Sequence, residues 1–183
     1  MLAVPGYQQG MKDMIPAWVD GKLTPVEKLS AHLDGLRHRA VSVFLIHEDE
    51  ILIQQRAAGK YHTPGLWANT CCTHPLWDEA PDVCAARRLN EELGITGVTP
   101  EWKGQIEYRA EVGGGMIEHE VVDLFLVKSD RRPLITLNPD EVDGVRWIGL
   151  KQLEQEVADH PEWFTPWLRI YLAEHKLSVF GPA

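Results

Sequence analysis

The sequence predicts an α/β fold in which a mixed β-sheet is flanked by helices. Two pairs of strand-like segments are separated by a helical segment, and further helical segments follow near the C-terminus. Strands with helices between and after them are typical of α/β domains. The chain has 183 residues, which is close to the usual size of one domain, so we expect residues 1–183 to form a single domain. The first dozen residues carry no recognisable pattern, and we expect them to be peripheral.

The predicted strands are apolar runs separated by turn signals. They are Ala40–Ile46, Ile51–Gln55, Gln105–Val112 and His119–Val127. His47–Glu50 is the predicted turn of the first pair, and Gly113–Gly115 connects the second pair. Nearer the N-terminus, Asp20 and Gly21 lie between short apolar pieces of residues 17–23, which is typical of a hairpin with a type I′ turn.

The helix predicted between the strand pairs spans Glu79–Leu93. Asp78 is a candidate N-cap, Pro81 is tolerated in the first helical turn, and Gly94 suits the C-terminal end. Two more helices are predicted after the strands: Leu150–Ala158 and Trp163–Lys176.

The central helix has one apolar and one polar face. At about 100° per residue, the apolar side chains fall on one face, which we expect to pack inward. They are Val83, Ala86, Leu89 and Leu93. Arg88 and Glu92 are a helical turn apart and share the opposite face.

Charge and composition exclude several function classes. The formal net charge of −9 disfavours nucleic acid as a partner. No apolar run approaches the roughly 20 residues that span a bilayer, and the N-terminus lacks a secretory signal pattern. Three cysteines are too few for a disulfide framework, so we expect a cytoplasmic protein with no membrane partner. An anionic substrate would need local positive charge from metal ions or clustered basic residues.

The end of the central helix carries a recognisable motif. Residues 87–95, RRLNEELGI, resemble the end of the Nudix box, which runs Arg-Glu-apolar-x-Glu-Glu-x-Gly-apolar. Glu79 falls at the earlier glutamate of the box, but Thr73 stands where the box has glycine and Arg88 stands where it has glutamate. In Nudix hydrolases the helix carboxylates gather Mg²⁺ around a pyrophosphate, so Arg88 removes a ligand and adds positive charge. Arg88 is suited to bind a phosphate oxygen instead, and the alternative is a solvated helix face.

A second segment narrows the resemblance. Residues 67–75, WANTCCTHP, resemble the active-site segment of type 1 isopentenyl-diphosphate isomerases, which have the Nudix fold. The family pattern Trp-x-Asn-x-x-Cys-x-His-Pro places its cysteine at Cys72 and its histidine at His74. Either residue alone is more often structural, and their joint spacing ahead of a Nudix-like helix is what favours function. Cys71 points the other way in an extended segment, so we expect it to pack in the core.

The resemblance extends to both sides and implies a metal site. Residues 26–32, VEKLSAH, match the family's Glu-Lys-x-x-x-His segment, in which Lys28 would reach the diphosphate. Glu118 and Glu120 match a Glu-x-Glu element, and their spacing puts both on one face of a strand with His119 turned away. Nitrogen and carboxylate ligands together suit Mn²⁺, Zn²⁺ or Mg²⁺. The implied metal ligands are His32, His38, His74, Glu118 and Glu120.

The spacing of the first two histidines departs from the family pattern. His32 and His38 are six residues apart in the sequence, one fewer than the family pattern. A deletion in the intervening loop would leave both as ligands, whereas a register shift would remove His32 from the site.

Further matches complete the implied active site. Tyr108 matches a tyrosine near the catalytic carboxylate, Trp167 matches a tryptophan over the isoprenoid, and Glu92 would hold a second ion, Mg²⁺, bridged to the substrate. The resemblance covers roughly residues 14–170. The basic groups that it places beside the diphosphate are Lys28, Arg56, Lys60 and Arg88.

The implied reaction interconverts isopentenyl diphosphate and dimethylallyl diphosphate, which are C5 isoprenyl diphosphates of isoprenoid biosynthesis. One proton is added to the terminal alkene carbon, and another is removed from C2 of the tertiary carbocation. Cys72 and Glu120 are the candidate proton-transfer groups, with Tyr108 assisting the carboxylate. For the forward direction we assign protonation to Glu120 with Tyr108 and deprotonation to Cys72, although reversal exchanges the roles. Trp167 would face the cation with its ring.

Two other functions share these residues. A Nudix pyrophosphohydrolase would have the same fold, but Arg88 argues against it and the Cys72 and His74 pattern would go unused. A non-catalytic, metal-stabilised diphosphate-binding module would use the three histidines for structure only.

Overall fold

A computed structural model describes residues 14–181, which form one nine-stranded mixed sheet with helices packed on both faces. The predicted α/β class is therefore confirmed. The first dozen residues, which we expected to be peripheral, lie outside the described residues. The elements in chain order are β1 (Met14–Val19), β2 (Lys22–Glu27), α1 (Lys28–Leu33), β3 (Arg37–His47), β4 (Glu50–Arg56), β5 (Trp67–Ala68), β6 (Cys71–Thr73), α2 (Pro81–Leu93), β7 (Glu101–Gly113), β8 (Met116–Lys128), β9 (Val142–Gly149), α3 (Leu150–Asp159), α4 (Pro166–Glu174) and α5 (Lys176–Phe180).

Strand β3 is the centre of the sheet and sets the position of the site. It runs parallel to β8, with His38 opposite Glu120. Its other edge pairs in turn with β1, β6 and β4, and Ser42 stands opposite Cys72 on β6. This register therefore brings β3, β6 and β8 side chains to one region of the sheet.

The predicted hairpins are present. Asp20 and Gly21 both have positive φ, at 50° and 75°, and connect β1 to β2 as a type I′ turn requires. The pairs β3–β4 and β7–β8 are antiparallel, as predicted. The connection from β7 to β8 turns at Gly114 and Gly115, where φ is again positive.

Alternation along β3 separates two apolar cores. Ala40 and Phe44 pack with α3, α4 and α5 on one face of the sheet. Val41, Val43 and Leu45 pack with α2 on the other face. The period of two that defines a strand therefore places α2 and the C-terminal helices on opposite sides.

Helix α2 begins later than predicted. Its N-cap is Ala80, which makes no side-chain capping bond, and Pro81 is the first helical residue. The prediction that Asp78 caps this helix is wrong, because Asp78 has φ of 66° and lies two residues before the cap position. The C-terminal end follows the prediction, since Gly94 is left-handed at φ 65°. A Cβ added there would lie 2.9 Å from Thr136 Cβ.

The buried face of α2 also differs from the prediction. Leu89 and Leu93 are buried as expected, but Val83 and Ala86 are exposed. The buried stripe instead includes the small side chains Cys84 and Ala85, which allow the helix to approach the sheet closely, and it reaches Glu92. Arg88 and Glu92 share one face as predicted, and that face lines a pocket rather than bulk solvent.

The C-terminal helices confirm one prediction and correct another. Leu150–Asp159 is helical as expected, but Trp163–Lys176 is not one helix. A 3-10 turn occupies Pro161–Trp163, and α4 begins only at Pro166. The residue before a proline is disfavoured in helical geometry, so Thr165 is extended and its amide donates to Trp67 O at 2.9 Å. No helix within residues 14–181 combines the length and apolar character needed to cross a bilayer.

Candidate active site

Most of the predicted site residues line one pocket. It encloses about 470 Å³ of space, part of which is open to solvent. The predicted residues in its lining are Lys28, Arg56, Lys60, Cys72, His74, Arg88, Glu92, Glu118, Glu120 and Trp167. His32, His38 and Tyr108 are buried and contact lining residues, as described below.

Four buried side chains converge at the base of the pocket. His32 comes from α1, His38 from β3, His74 follows β6, and Glu120 lies on β8. One potential ligand atom from each lies within 4.8 Å of the others. Nε2 of His74 is 2.9 Å from Glu120 Oε1, and Nε2 of His38 is 3.5 Å from the same oxygen. His32 therefore stands in this cluster, which is the geometry expected of a loop deletion rather than a register shift.

The hydrogen bonds of these histidines suit a cation. Nδ1 of His32 donates to Lys28 O, and Nδ1 of His38 donates to Leu36 O, each at 2.7 Å. Their Nε2 atoms therefore carry lone pairs, and both are buried without a hydrogen-bond partner among the described residues. Burial lowers the pKa of His32 to about 4, which keeps its ring neutral. Converging lone pairs whose rings are oriented by backbone carbonyls fit a divalent metal ion.

Glu118 stands beside this cluster rather than within it. Glu118 groups with His32 and His62, whose ligand atoms also lie within 4.8 Å of one another. Glu118 and Glu120 share one face of β8, as predicted. Both accept a hydrogen bond from the Tyr108 hydroxyl, at 2.9 and 2.7 Å. His119 is turned away and contacts Glu107 at 3.1 Å.

The Tyr108 hydroxyl has one proton for two carboxyl groups. Burial and the charge of Glu120 raise the pKa of Glu118 well above its usual range. Burial opposes ionisation of Glu120 too, but its contacts with His38 and His74 outweigh burial and hold the pKa of Glu120 low. Of the two carboxyl groups, Glu118 therefore holds a proton more readily and Glu120 ionises more readily. The three side chains form a compact proton-holding cluster.

The two adjacent cysteines face opposite sides of the sheet. Cys71 is buried in the α2-side core, as expected. Cys72 faces the pocket, with its Sγ 2.9 Å from Ser42 Oγ, and Ser42 Oγ lies 2.7 Å from the Tyr171 hydroxyl. Burial, followed by the charge of Glu120, raises the pKa of Cys72 well above its usual value, so the thiol is protonated.

Part of the pocket lining is strongly basic; we call Lys28, Arg56, Lys60 and Arg88 the basic wall. Burial lowers the pKa of Lys28 to about 8, and repulsion from the neighbouring cations adds to the shift. Lys60 Nζ lies 2.5 Å from Glu141 Oε2, and Arg88 Nη2 lies 3.2 Å from Glu141 Oε1. Cations held this close to one another attract an anion, and they locally offset the net negative charge of the chain.

Arg56 and Trp167 connect the basic wall to the interior. The Arg56 guanidinium lies 5.2 Å from the centre of the Trp167 ring. Trp167 is almost fully buried at the start of α4. Its ring therefore forms an apolar wall beside the basic groups.

The helix α2 supplies Glu92 to the pocket. Glu92 Oε2 accepts from Gln54 at 2.9 Å, and Oε1 accepts from Arg88 at 2.6 Å. Glu79, at the earlier box position, is instead engaged by Arg87 at 2.6 and 2.7 Å. Only the last glutamate of the box therefore faces the pocket, next to the arginine that replaces a box carboxylate.

Several residues of the site were not predicted. Ser42 is a polar residue in an apolar strand on the same face as His38, which is a detectable signal. His62 follows Lys60 by two residues, but this spacing matches no motif that would indicate a site residue. Glu141 and Tyr171 carry no local signal, because the fold brings them to the pocket from distant parts of the chain.

Comparisons with known proteins agree with this geometry. The sequence model of the NUDIX domain matches residues 36–168. The isopentenyl-diphosphate Delta-isomerase of Roseobacter denitrificans is 60% identical over 171 residues, which cover 93% of this chain and 97% of that protein. That of Dinoroseobacter shibae is 61% identical over 171 residues with the same coverage, 93% and 97%.

Solved structures show the same fold. DR0079 from Deinococcus radiodurans has a TM-score of 0.64 at 14% identity and covers 80% of this chain and 89% of that one. A MutT NUDIX hydrolase from Burkholderia pseudomallei has a TM-score of 0.58 at 21% identity and covers 76% and 98%. At this identity the likeness concerns the fold alone. The family model and the isomerase relatives go further, and they show that the chain belongs to the NUDIX domain family and, within it, to the isopentenyl-diphosphate Delta-isomerases.

Proposed function

We propose that this enzyme interconverts isopentenyl diphosphate and dimethylallyl diphosphate, with Cys72 and Glu120 as its proton-transfer groups. The observation that carries the proposal is the pairing, in one pocket, of a protonated thiol with the Glu118–Tyr108–Glu120 cluster. Adding a proton to an alkene and removing another requires two such groups in contact with one small substrate. The basic wall supplies the place for a diphosphate.

Each step of the assigned roles has a donor and an acceptor for its proton. In the forward direction, Tyr108 with Glu120 delivers a proton to the terminal alkene carbon, and Glu118 can restore the proton that Tyr108 gives up. Cys72, once its thiol has lost its own proton to solvent, takes the proton from C2, and in the reverse direction these roles exchange. The high pKa of Cys72 makes the thiol the resting form, which is the form needed for the reverse direction, and makes its thiolate a strong base.

The pocket suits a carbocation intermediate. The Trp167 ring offers a π face, and a desolvated cation over an aromatic ring gains on the order of 2 kcal/mol. Burial of Trp167 and Tyr171 keeps water from the reacting carbons, which a tertiary cation needs because water would capture it. Lys28, Arg56 and Lys60 would hold the diphosphate at the other end, with Arg88.

Divalent metal ions belong to this proposal. The His32, His38, His74 and Glu120 cluster, with Glu118, would hold Mn²⁺, Zn²⁺ or Mg²⁺. When bound, the ion supplies positive charge that keeps Glu120 ionised and its geometry fixed. Glu92 would hold Mg²⁺ shared with the substrate diphosphate. We further propose that residues 1–183 form one cytoplasmic domain without nucleic-acid or membrane partners, which its free cysteines support.

A proton NMR assay tests the reaction. We expect isopentenyl diphosphate and Mg²⁺ to yield dimethylallyl diphosphate with the wild-type enzyme and no product with Cys72→Ala. Cys71→Ala is the matched control, because Cys71 packs on the other face of the sheet, and it should retain turnover. Release of phosphate from nucleoside diphosphate derivatives without isomerisation would favour a hydrolase instead. Diphosphate binding with no turnover would favour the binding module.

A further inference from the structure

A fourth histidine enters the metal cluster from a loop. His62 lies between β4 and β5 and is only 5% exposed. Its ring is stacked on His32 with centroids 5.6 Å apart, and its Nε2 is 3.7 Å from Glu118 Oε1. The mechanism proposed above does not use it.

In one of the two tautomers of His62, the nitrogen that faces the site carries a lone pair. Nδ1 of His62 is 3.1 Å from Thr63 Oγ1, within hydrogen-bond distance. When Nδ1 donates to that hydroxyl, the Nε2 lone pair points toward the Glu118 oxygen. The distance of 3.7 Å is too long for a hydrogen bond between them. A cation between these two atoms would be bound by both of them, with Glu118 giving up its proton.

The chain holds His62 in place at a conformational cost. Arg56 donates to His62 O at 3.2 Å and to Thr63 O at 3.3 Å. Thr63 has φ of 46°, which is rare and strained for a β-branched residue. Strain of this kind persists where surrounding contacts impose it, and here the imposed conformation directs the neighbouring imidazole into the site.

We propose that His62 is an additional nitrogen ligand of the metal site, on its Glu118 side. The ion would then be held by four histidines, with Glu118 and Glu120 as the carboxylate ligands. The inference rests on the proposed metal site and deepens it. Packing of His62 against Trp167, with centroids 6.0 Å apart, accounts for its burial but not for the direction of Nε2.

The test is histidine nitrogen NMR with Zn²⁺, which is diamagnetic. The protein is labelled with ¹⁵N at histidine and titrated with one equivalent of the ion. We expect four imidazole Nε2 signals to move to the metal-bound range, with the His62 signal identified by its loss in His62→Gln. His160→Gln is the matched control, because His160 is exposed and stacked on Trp163. His62→Gln should also lower Zn²⁺ affinity by about 10- to 100-fold.

The outcomes separate this inference from the function. Three shifted signals in an active wild-type enzyme, with His62 unmoved, would overturn the role of His62 and leave the isomerase in place. No shifted signal and no isomerisation would overturn both the metal site and the inference. If His62→Gln does not fold, the number of signals that move in the wild-type spectrum still decides between four ligands and three.

Discussion

Ser42 Oγ lies 2.9 Å from Cys72 Sγ and 2.7 Å from the Tyr171 hydroxyl, so the proposed catalytic thiol ends a buried hydrogen-bond chain. Hydrogen bonds from Ser42 and Tyr171 both favour the thiolate, and that of Ser42 has the larger effect. Ser42 is therefore a positioning residue that makes Cys72 easier to deprotonate.

Removing the Ser42 hydroxyl should slow the reaction. A hydrogen bond to a charged group is worth about 1.5–3 kcal/mol, so we expect Ser42→Ala to lower kcat by roughly tenfold or more, with little change in KM. The alkaline limb of the pH profile should move upward, because the thiol pKa rises further. Ser178→Ala, on the exposed side of α5, is the control. An unchanged kcat and pH profile would show that Ser42 is structural only.

Arg88 should matter for binding more than for proton transfer. Its guanidinium contacts Glu92 and Glu141 at the basic wall. Arg88→Glu restores the Nudix-box residue type but adds a negative charge beside both carboxylates. We expect KM for isopentenyl diphosphate to rise by tenfold or more, with a smaller effect on kcat. Arg109→Glu, an equal charge change at an exposed site, should leave KM unaltered; an equal rise there would mean that only net charge matters.

The pH dependence of diphosphate binding should reveal Lys28. Its pKa is lowered from 10.5 to about 8, so the side chain loses its charge as pH rises through that value. The affinity contributed by Lys28 is therefore present below pH 8 and lost above it. We expect inorganic pyrophosphate to bind severalfold more weakly above this pH, measured by calorimetry. Lys28→Arg should remove this loss. Titration of pyrophosphate itself affects both proteins equally, so the same pH dependence of binding in both would contradict the prediction.

Metal binding should stabilise the folded chain. His32 and His38 present buried Nε2 atoms without partners, so an ion that binds only the folded state adds stability. At 100 times its dissociation constant it contributes about 2.7 kcal/mol. We expect Mn²⁺ to raise Tm and a chelator to reverse the increase. His38→Gln should abolish most of the gain while His160→Gln keeps it, and an equal gain in both variants would place the ion elsewhere.

Alternation along strands could be predicted from the sequence, and so could the directions of the side chains that depend on it. The opposite directions of Cys71 and Cys72, and the shared face of Glu118 and Glu120, follow from a period of two. The predicted buried face of α2 was wrong because packing against the sheet favours Cys84 and Ala85. Their small size outweighs the hydrophobicity of Val83.

Residues that reach the site through long-range contacts could not be predicted. His62 depends on the direction in which Arg56 and a strained Thr63 hold a loop. Tyr171 depends on where α4 begins after Pro166. Neither position is encoded in a local pattern.

The central claim is that Cys72 and the Tyr108–Glu120 pair handle different protons. Deuterium exchange in Cys72→Ala tests it most directly. Isopentenyl diphosphate is incubated with this variant and Mg²⁺ in D₂O, and the recovered substrate is examined by NMR. Because the carboxylate side remains, we expect deuterium at the terminal alkene carbon without formation of dimethylallyl diphosphate. Deuterium at C2, full conversion, or no exchange at all would contradict the assignment.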